Sequence, residues 1–392
     1  MRILDRYILK SFLIPFVYCF LGFIAIWLVF DLSDNGPDFI EGKVKFSKIL
    51  GFYLTQLPDI MMICLPVGLL LALLYSLSKL SKSNEVISML TAGVSLPRIL
   101  FPLFIIGLLV TALMTLLNYE WAPHAQANKD TQLAEFKSGK ERNATIQSHL
   151  FRNRTKNRTW YAEKIKLEEN SLEDVQIIQQ DEEGRVLYKY YVVETLYRPE
   201  TNDWQLIKPL IVEFDLEGNV TNREYLLGEQ FVNTWDETPQ RIASGNFEAE
   251  MLSIPELQDY LEYNKDFPDS QLAPFRTHLL YRWALPWAGF IVVFIAAPLG
   301  IVYSRRGVLA GVASSIFIFF IMTILTNLFL ALGVGARIPP FWAAWIPNLL
   351  FFIFGLTLLW FRAMNRDVSS LFSGFRKKSP PSPSLKRQTQ NS

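Results

Sequence analysis

Residues 49–77 read ILGFYLTQLPDIMMICLPVGLLLALLYSL, 29 positions with a single formally charged side chain, Asp59. A helix rises about 1.5 Å per residue, and about 20 consecutive apolar residues cross the hydrocarbon core of a bilayer. This run has no polar face to turn toward water, so it does not suit the surface of a soluble domain. Runs 12–30, 99–118, 283–303, 308–333 and 341–361 share its character. A soluble fold would need a core able to cover six such helices, and the chain reads instead as an integral membrane protein with six spans. Residues 119–278, between the third and fourth spans, form an aqueous segment of ordinary domain size.

A formal net charge of +1 conceals strong segregation. Around the short connections and ends stand Arg2, Arg6, Lys10, Lys79, Lys82, Arg98, Arg305, Arg306 and seven Lys or Arg from Arg362 to Arg387, against only Asp5, Glu85 and Asp367. The middle segment holds 18 Lys and Arg against 29 Asp and Glu. Lys and Arg in short loops set the orientation of membrane proteins. Both ends, the loop after the second span and the Arg305-Arg306 turn are therefore expected in the cytoplasm, with 119–278 exported. The first apolar run exceeds a signal-peptide core, and Asp31-Leu32-Ser33-Asp34 offers no small-residue cleavage site, so it reads as an uncleaved span. Cys19 and Cys64 both lie in spans, which leaves the exported segment to fold without disulfides.

Most of 144–242 reads as strand. Residues 158–166 alternate in polarity and 186–196 are rich in Tyr and Val, which suit a half-buried pleated surface. Turn signals separate the runs, and Gly184 and Gly218 supply the positive φ of tight hairpins. One continuous antiparallel sheet of jelly-roll type is expected. Its interior reads equally as an ordinary core or as a surface for an apolar ligand. Ser253, Pro255 and Glu256 form a capping signature for a short helix that returns the chain to the membrane ahead of Arg282.

No catalytic set emerges. His149 and His278 are far apart in sequence, the exported segment has no Cys, and no G-x-S-x-G or H-E-x-x-H pattern occurs. Ion-driven transporters bury ionisable groups at mid-membrane, whereas these spans offer only Asp59, between Pro58 and Pro66. Asp59 either lines a polar cavity or lies near the outer interface, the reading that Lys48 eleven residues earlier favours. Arg282 and Arg337 are expected to snorkel at the outer ends of their spans. Gly42-Lys43 and Gly139-Lys140 lack the rest of a phosphate-binding loop. The chain is thus expected to bind no cofactor, metal or nucleic acid of its own, and energy for any work must come from a partner.

The loop Lys79–Ser95 gives such a partner a handle. Ser83 or Asn84 suits an N-cap, Glu85 suits the positive end of the helix dipole, and Gly93 is placed to end the helix. Val86, Met89, Leu90 and Gly93 recur at i, i+3, i+4 and i+7 on one face. A helix this short is marginal alone. Its apolar face rests either on the inner leaflet or in a groove of a cytoplasmic protein.

Several stretches, in order, resemble the LptF/LptG lipopolysaccharide export permeases. They are Leu4-Asp5-Arg6-Tyr7-Ile8, the Pro58 and Pro66 pair, Ser83-Asn84-Glu85-Val86 with Ala92-Gly93-Val94-Ser95, Glu120-Trp121-Ala122-Pro123, and Pro298-Leu299-Gly300 ahead of Arg305-Arg306-Gly307. The first and fourth of these look more like the LptG branch.

The resemblance implies an α-helical membrane protein with six transmembrane helices, three before and three after an inserted periplasmic all-β jellyroll-like domain. It implies transmembrane helices in 1–118 with a coupling helix at 83–93, the β-domain and return helix in 119–278, the remaining helices in 279–361, and a basic, Pro/Ser-rich cytoplasmic tail in 362–392. The partners implied are a sister LptF/LptG-type permease, an LptB-type ATPase dimer that uses the ATP and grips Asn84, Glu85, Val86, Met89, Leu90 and Gly93, and LptC/LptA-type jellyroll proteins. The cargo implied is lipopolysaccharide drawn from the inner membrane. Trp27, Leu28 and Phe30 of the first span and Phe317, Ile321 and Leu325 of the fifth would line the lipid cavity, with Asp59 as a polar candidate. One departure stands out: Asp31 and Asp34 lie at the proposed lipid entrance, where basic groups would suit lipid phosphates. A non-transporting scaffold that anchors the β-domain for protein binding is the alternative reading, and an ion-driven exporter is a third.

Overall fold

The computed structural model describes residues 3–138, 145–153, 155–167, 169–244, 247–301 and 307–364; the Arg305-Arg306 turn and most of the basic tail lie outside them. The chain opens with α1 (Ile3–Glu41), α2 (Phe46–Lys82), the short α3 (Glu85–Thr91), α4 (Leu96–Tyr119) and α5 (Trp121–Ser138). Eight strands follow: β1 (Thr145–Asn153), β2 (Arg158–Lys166), β3 (Ser171–Gln180), β4 (Val186–Arg198), β5 (Asp203–Ile207), β6 (Leu210–Phe214), β7 (Val220–Tyr225) and β8 (Glu229–Val232). Then come α6 (Pro239–Ala243), α7 (Ile254–Tyr263), α8 (Asp269–Ala284), α9 (Trp287–Gly300), α10 (Gly307–Val334) and α11 (Pro340–Ala363).

Helices α1, α2, α4, α10 and α11 are long and apolar enough to cross a membrane, and the pair α8–α9, bent by 48° at its break, brings the number to six when it is counted as one span. The sequence placed the start of that span at residue 283, inside α8, so the boundary at 278 falls within a helix. Pro286 explains the bend, since it has no N–H to continue the helical ladder. Asn348 on α11 donates from Nδ2 to the Ala284 carbonyl at 2.6 Å, at the bend itself.

Helix α2 is the hub. Leu69, Leu73 and Leu77 on it are fully buried, as are Val293, Ala296 and Ala297 on α9. Glycines bring the other helices close: a Cβ at Gly107 of α4 would lie 2.6 Å from Val293 Cγ2, and one at Gly355 of α11 would lie 2.7 Å from Phe294 Cβ. Lipid supplies no hydrophobic drive between helices, so such close backbone contact is what holds them.

The inserted domain is one antiparallel eight-stranded sheet in the order β1-β2-β3-β4-β5-β8. The 13-residue β4 pairs with β5 through 194–198 and with β6 through 188–191, and β6 carries β7 as a branch. The continuous sheet read from the sequence is present, and Gly184 and Gly218 hold the expected positive φ of 85° and 86°. Trp160 packs tilted against Trp204 and edge-on to Trp235, at 4.9 and 5.2 Å between ring centres, to form its core. A buried Arg158–Glu237 pair at 2.7 Å, with Asn153 Nδ2 and Trp204 Nε1 donating to Glu237, ties the segment ahead of α6 to the sheet. The capping box on α7 forms as expected: Ser253 Oγ accepts from Glu256 N, and the Glu256 carboxylate accepts from Ser253 N at 2.8 Å.

Candidate functional site

The residues singled out from the sequence fall in two regions, one toward each end of α1. At the N-terminal end, α3 hangs between α2 and α4. Seven residues cannot hold a helix by propensity alone, and the structure supplies the missing support from the same chain. Val86 is buried in the membrane core cluster, and Met89, Leu90 and Val94 pack against it. Gly93, at φ +87°, closes the helix: its N–H bonds to the Leu90 carbonyl and the Val94 N–H to the Met89 carbonyl. That pair is a Schellman turn, with Met89 and Val94 as its apolar contact.

The N-terminus of α3 differs from expectation. Asn84 occupies the cap position in the left-handed conformation, φ +60°, and its side chain accepts no capping bond. Ser83 Oγ instead donates to Glu85 Oε1 at 2.8 Å, and Tyr7 Oη on α1 donates to Glu85 Oε2 at 2.6 Å. The carboxylate thus links α3 to α1 across 78 positions of sequence. Beside it, Arg98 of α4 pairs with Asp5 of α1 at 2.9 Å. Of the six coupling residues named from sequence, Asn84 and Gly93 are exposed, Glu85, Met89 and Leu90 are half-buried, and Val86 is turned inward. The face α3 shows to the outside is made by Asn84, Ile87, Ser88, Thr91 and Ala92; the periodicity singled out none of these, and only Asn84 was named from the sequence, as a cap and as a coupling residue. Between Leu90, Val94 and the end of α11 at Arg362 lies a recess of about 310 Å³.

At the other end of α1 the apolar side chains are open. Leu28 and Phe30 are exposed, and Trp27 is half-buried, edge-on to Tyr53. On α10, Phe317 is exposed, while Ile321 and Leu325 lean on the membrane core. These two helices are the least covered of the spans: 6% of the apolar window of α1 and 11% of that of α10 are buried, against 72% for α2.

Asp31 does not stand open at this end of α1. It is buried beneath α5, where Lys129 Nζ reaches its Oδ1 at 2.8 Å and lies 5.5 Å over the Trp27 ring. Lys129 is the basic group that the sequence lacked near the first span, and nothing in the spacing pointed to it. Asp34 is exposed. Helix α5 straps the ends of α1 and α2 through Phe136, edge-on to Phe39 and Phe52, and through Gln56 Nε2, which donates to the Ala125 carbonyl at 2.9 Å. Asp59 is half-buried in the N-terminal half of α2, on the side of the chain where Lys129, Arg282 and Glu250 lie.

Arg282 corrects the sequence reading. It does not snorkel but is buried, with Nη1 donating to Asn118 Oδ1 at 3.2 Å and Nη2 to the Glu250 carbonyl. Asn118 Nδ2 donates in return to the Arg282 carbonyl at 2.6 Å. The arginine therefore fastens the end of α4 to α8 and to the loop before α7. Arg337 is exposed.

A family model described as lipopolysaccharide export system permease LptF/LptG matches residues 6–361. LptG of Escherichia coli K12 is 24% identical over 366 residues, covering 91% of this chain and 98% of that protein. LptF of the same strain is 23% identical over 337 residues, covering 85% and 88%, and LptF of Shigella flexneri matches equally. Such close and low identities favour neither branch, so the leaning toward LptG is not upheld. A match over nearly the whole chain, on a bundle of apolar helices interrupted by one antiparallel sheet, makes this multi-pass membrane protein a member of the LptF/LptG lipopolysaccharide export permease family.

Proposed function

We propose that this chain is one permease subunit of an ATP-driven complex that lifts lipopolysaccharide from the inner membrane and passes it to the β-domain. In this reading the α3 end faces the cytoplasm, as the Lys and Arg of the short loops require. An LptB-type ATPase bears on the exposed face of α3, and a sister permease completes the cavity against α1 and α10. The β-domain continues into LptC- and LptA-type partners. The observation that carries the proposal is the Tyr7–Glu85 bond. Because α3 packs on its own chain and is tied to α1, a push on α3 is delivered to the helix whose far end carries Trp27, Leu28 and Phe30. No ionisable relay along the spans is needed for such a stroke.

The test is Glu85→Lys in the complete complex. Loss of ATPase association or of lipid export, with insertion and pairing to the sister permease intact, is the expected result. Normal assembly and export would remove α3 from the mechanism. Recovery of periplasmic proteins alone, without an ATPase or a second permease, would favour the scaffold.

A further inference from the structure

A groove on the outer side of the α1–α2 seam has no part in the mechanism above. Its volume is about 310 Å³, and it is lined by Lys10, Ser11, Ile14, Pro15, Tyr18, Cys19, Tyr75 and Lys79. The order of these residues along the helices matters. Lys10, Ile14 and Tyr18 recur every four positions on α1, as Tyr75 and Lys79 do on α2, so each row lies along one helix face. The groove thus has two ammonium groups at one end and an aliphatic and aromatic wall running toward the middle of the bundle. Deeper along the seam the two helices close on each other at Gly68, where a Cβ would lie 3.4 Å from the Phe20 Cα.

Lys10 and Lys79 are exposed and form no ion pair among the described residues. Two cations without an ion pair on the wall of one groove repel one another and favour an anion bound there. They lie just outside the apolar runs 12–30 and 49–77, at the level where lipid headgroups sit. The shape is that of an amphiphile with an anionic head: charge at the membrane surface, Ile14 and Tyr75 one helical turn beneath it, and Tyr18 a turn deeper still. Trp27 stands eight residues beyond Cys19, the groove's last residue on α1, about 12 Å further along the helix, so the groove ends short of the apolar face proposed for the cavity.

We infer that this groove holds one membrane glycerophospholipid, with its phosphate between Lys10 and Lys79 and an acyl chain along Ile14, Tyr18 and Tyr75. The charge complementarity selects a lipid over a neighbouring transmembrane helix, which would leave both lysines without a counter-charge. This inference does not depend on the direction of export or on the ATPase.

The experiment uses the complex as purified, reconstituted in nanodiscs of phosphatidylcholine and phosphatidylglycerol and released for native mass spectrometry. One glycerophospholipid is expected to remain on the wild-type chain, and to rebind from phosphatidylglycerol after delipidation. Lys10→Gln with Lys79→Gln should weaken rebinding about thirty-fold, the ratio that two lysines at ~1 kcal/mol each give. Ile14→Trp, which keeps both charges and fills the apolar wall, should weaken it as well. Lys43→Gln with Lys45→Gln, at the other end of α1 and α2, should leave it unchanged. Equal rebinding by the Lys10/Lys79 variant overturns the proposal, as does displacement by inorganic phosphate, which would mark a free-anion site. A wild-type complex that carries no lipid on this chain also overturns it, because a partner helix then covers the groove.

Discussion

Helices α2 and α10 are alike in sequence and opposite in situation. Both are long and apolar, yet 72% of the apolar window of α2 is buried within the chain and only 11% of that of α10. Helix α1 resembles α10, at 6%. In water such a difference would betray a missing partner, but in a bilayer an apolar face is at home against lipid, and only packing distinguishes the two cases. Hydropathy therefore announces that a helix crosses the membrane and is silent about what it touches there. What sets α2 apart is contact with the small residues of α9, Ala296, Ala297 and Gly300, where a Cβ at Gly300 would stand 3.0 Å from Leu77 Cβ. In the proposed function the uncovered helices, α1 and α10, are the ones that meet a sister subunit and a lipid cargo.

The largest expected effect breaks that contrast directly. Leu73→Ala on α2 leaves a cavity in a fully buried site and should cost about 2 kcal/mol, the low end for such truncations because packing rather than transfer from water is lost. Ile324→Ala on α10, at an exposed position, should cost less than about 0.5 kcal/mol. Thermal unfolding of the two variants in the same detergent checks the difference. Equal losses would mean that α10 is covered as fully as α2 and that the contrast is not a property of the folded chain.

Next in size is the link from α3 to α1. Tyr7→Phe removes one hydrogen bond to Glu85 and leaves the outward face of α3 untouched. Export coupled to ATP hydrolysis should fall about threefold, while association with the ATPase holds. Glu85→Lys, which also disturbs Ser83, should lose both. If Tyr7→Phe and Glu85→Lys behave alike, α1 and α3 are not mechanically joined through this carboxylate.

These two tests also mark where sequence reading succeeded and where it stopped. The spans, the turns at Gly184 and Gly218, the capping box at Ser253 and the helix stop at Gly93 were legible because each rests on a few adjacent residues and a local rule. The Tyr7–Glu85 bond, the burial of Arg282 against Asn118 and the Lys129–Asp31 pair join positions 78, 164 and 98 apart, and no local period points to them. Helix α5 was missed for a related reason: it has no strong apolar stripe of its own and is held by Gln56, Phe39 and Phe52 of helices already folded. Asn84 was misjudged because an asparagine before a helix suits both a capping side chain and the left-handed backbone found here.

A smaller effect concerns how α5 stays over the ends of α1 and α2. His124 on α5 meets Glu256 on α7 at 3.0 Å. Burial raises the Glu256 carboxyl pKa, but the bonds from Ser253 and His124 outweigh it and hold the group below its ordinary value of 4.5. A folded-state pKa below the unfolded one means that the contribution is complete above 4.5 and is lost as pH falls through the lower value. Amide exchange at the start of α7 should therefore speed up, after correction for intrinsic rates, only in acid below that range. Glu256→Gln should flatten the dependence. An unchanged profile in Glu256→Gln would assign the acid response to another group.

The smallest effect on stability should accompany a clear effect on function, and that separation sharpens the contrast most. Phe30 and Phe317 are 68% and 65% exposed, so Phe30→Ala and Phe317→Ala remove side chains that the chain itself barely touches. Their cost to folding should stay within about 0.5 kcal/mol. If the open faces of α1 and α10 receive cargo or a sister helix, the same variants should slow lipid export while leaving the ATPase bound and active. A matched pair, Leu109→Ala and Leu356→Ala, tests whether exposure alone suffices, since both residues are exposed on helices whose windows are 44% and 33% buried. Export lowered by the first pair and spared by the second would place the cargo path along α1 and α10. Export lowered equally by both would mean that lipid contact around the whole bundle matters, and that low coverage within the chain is no guide to where the cargo passes.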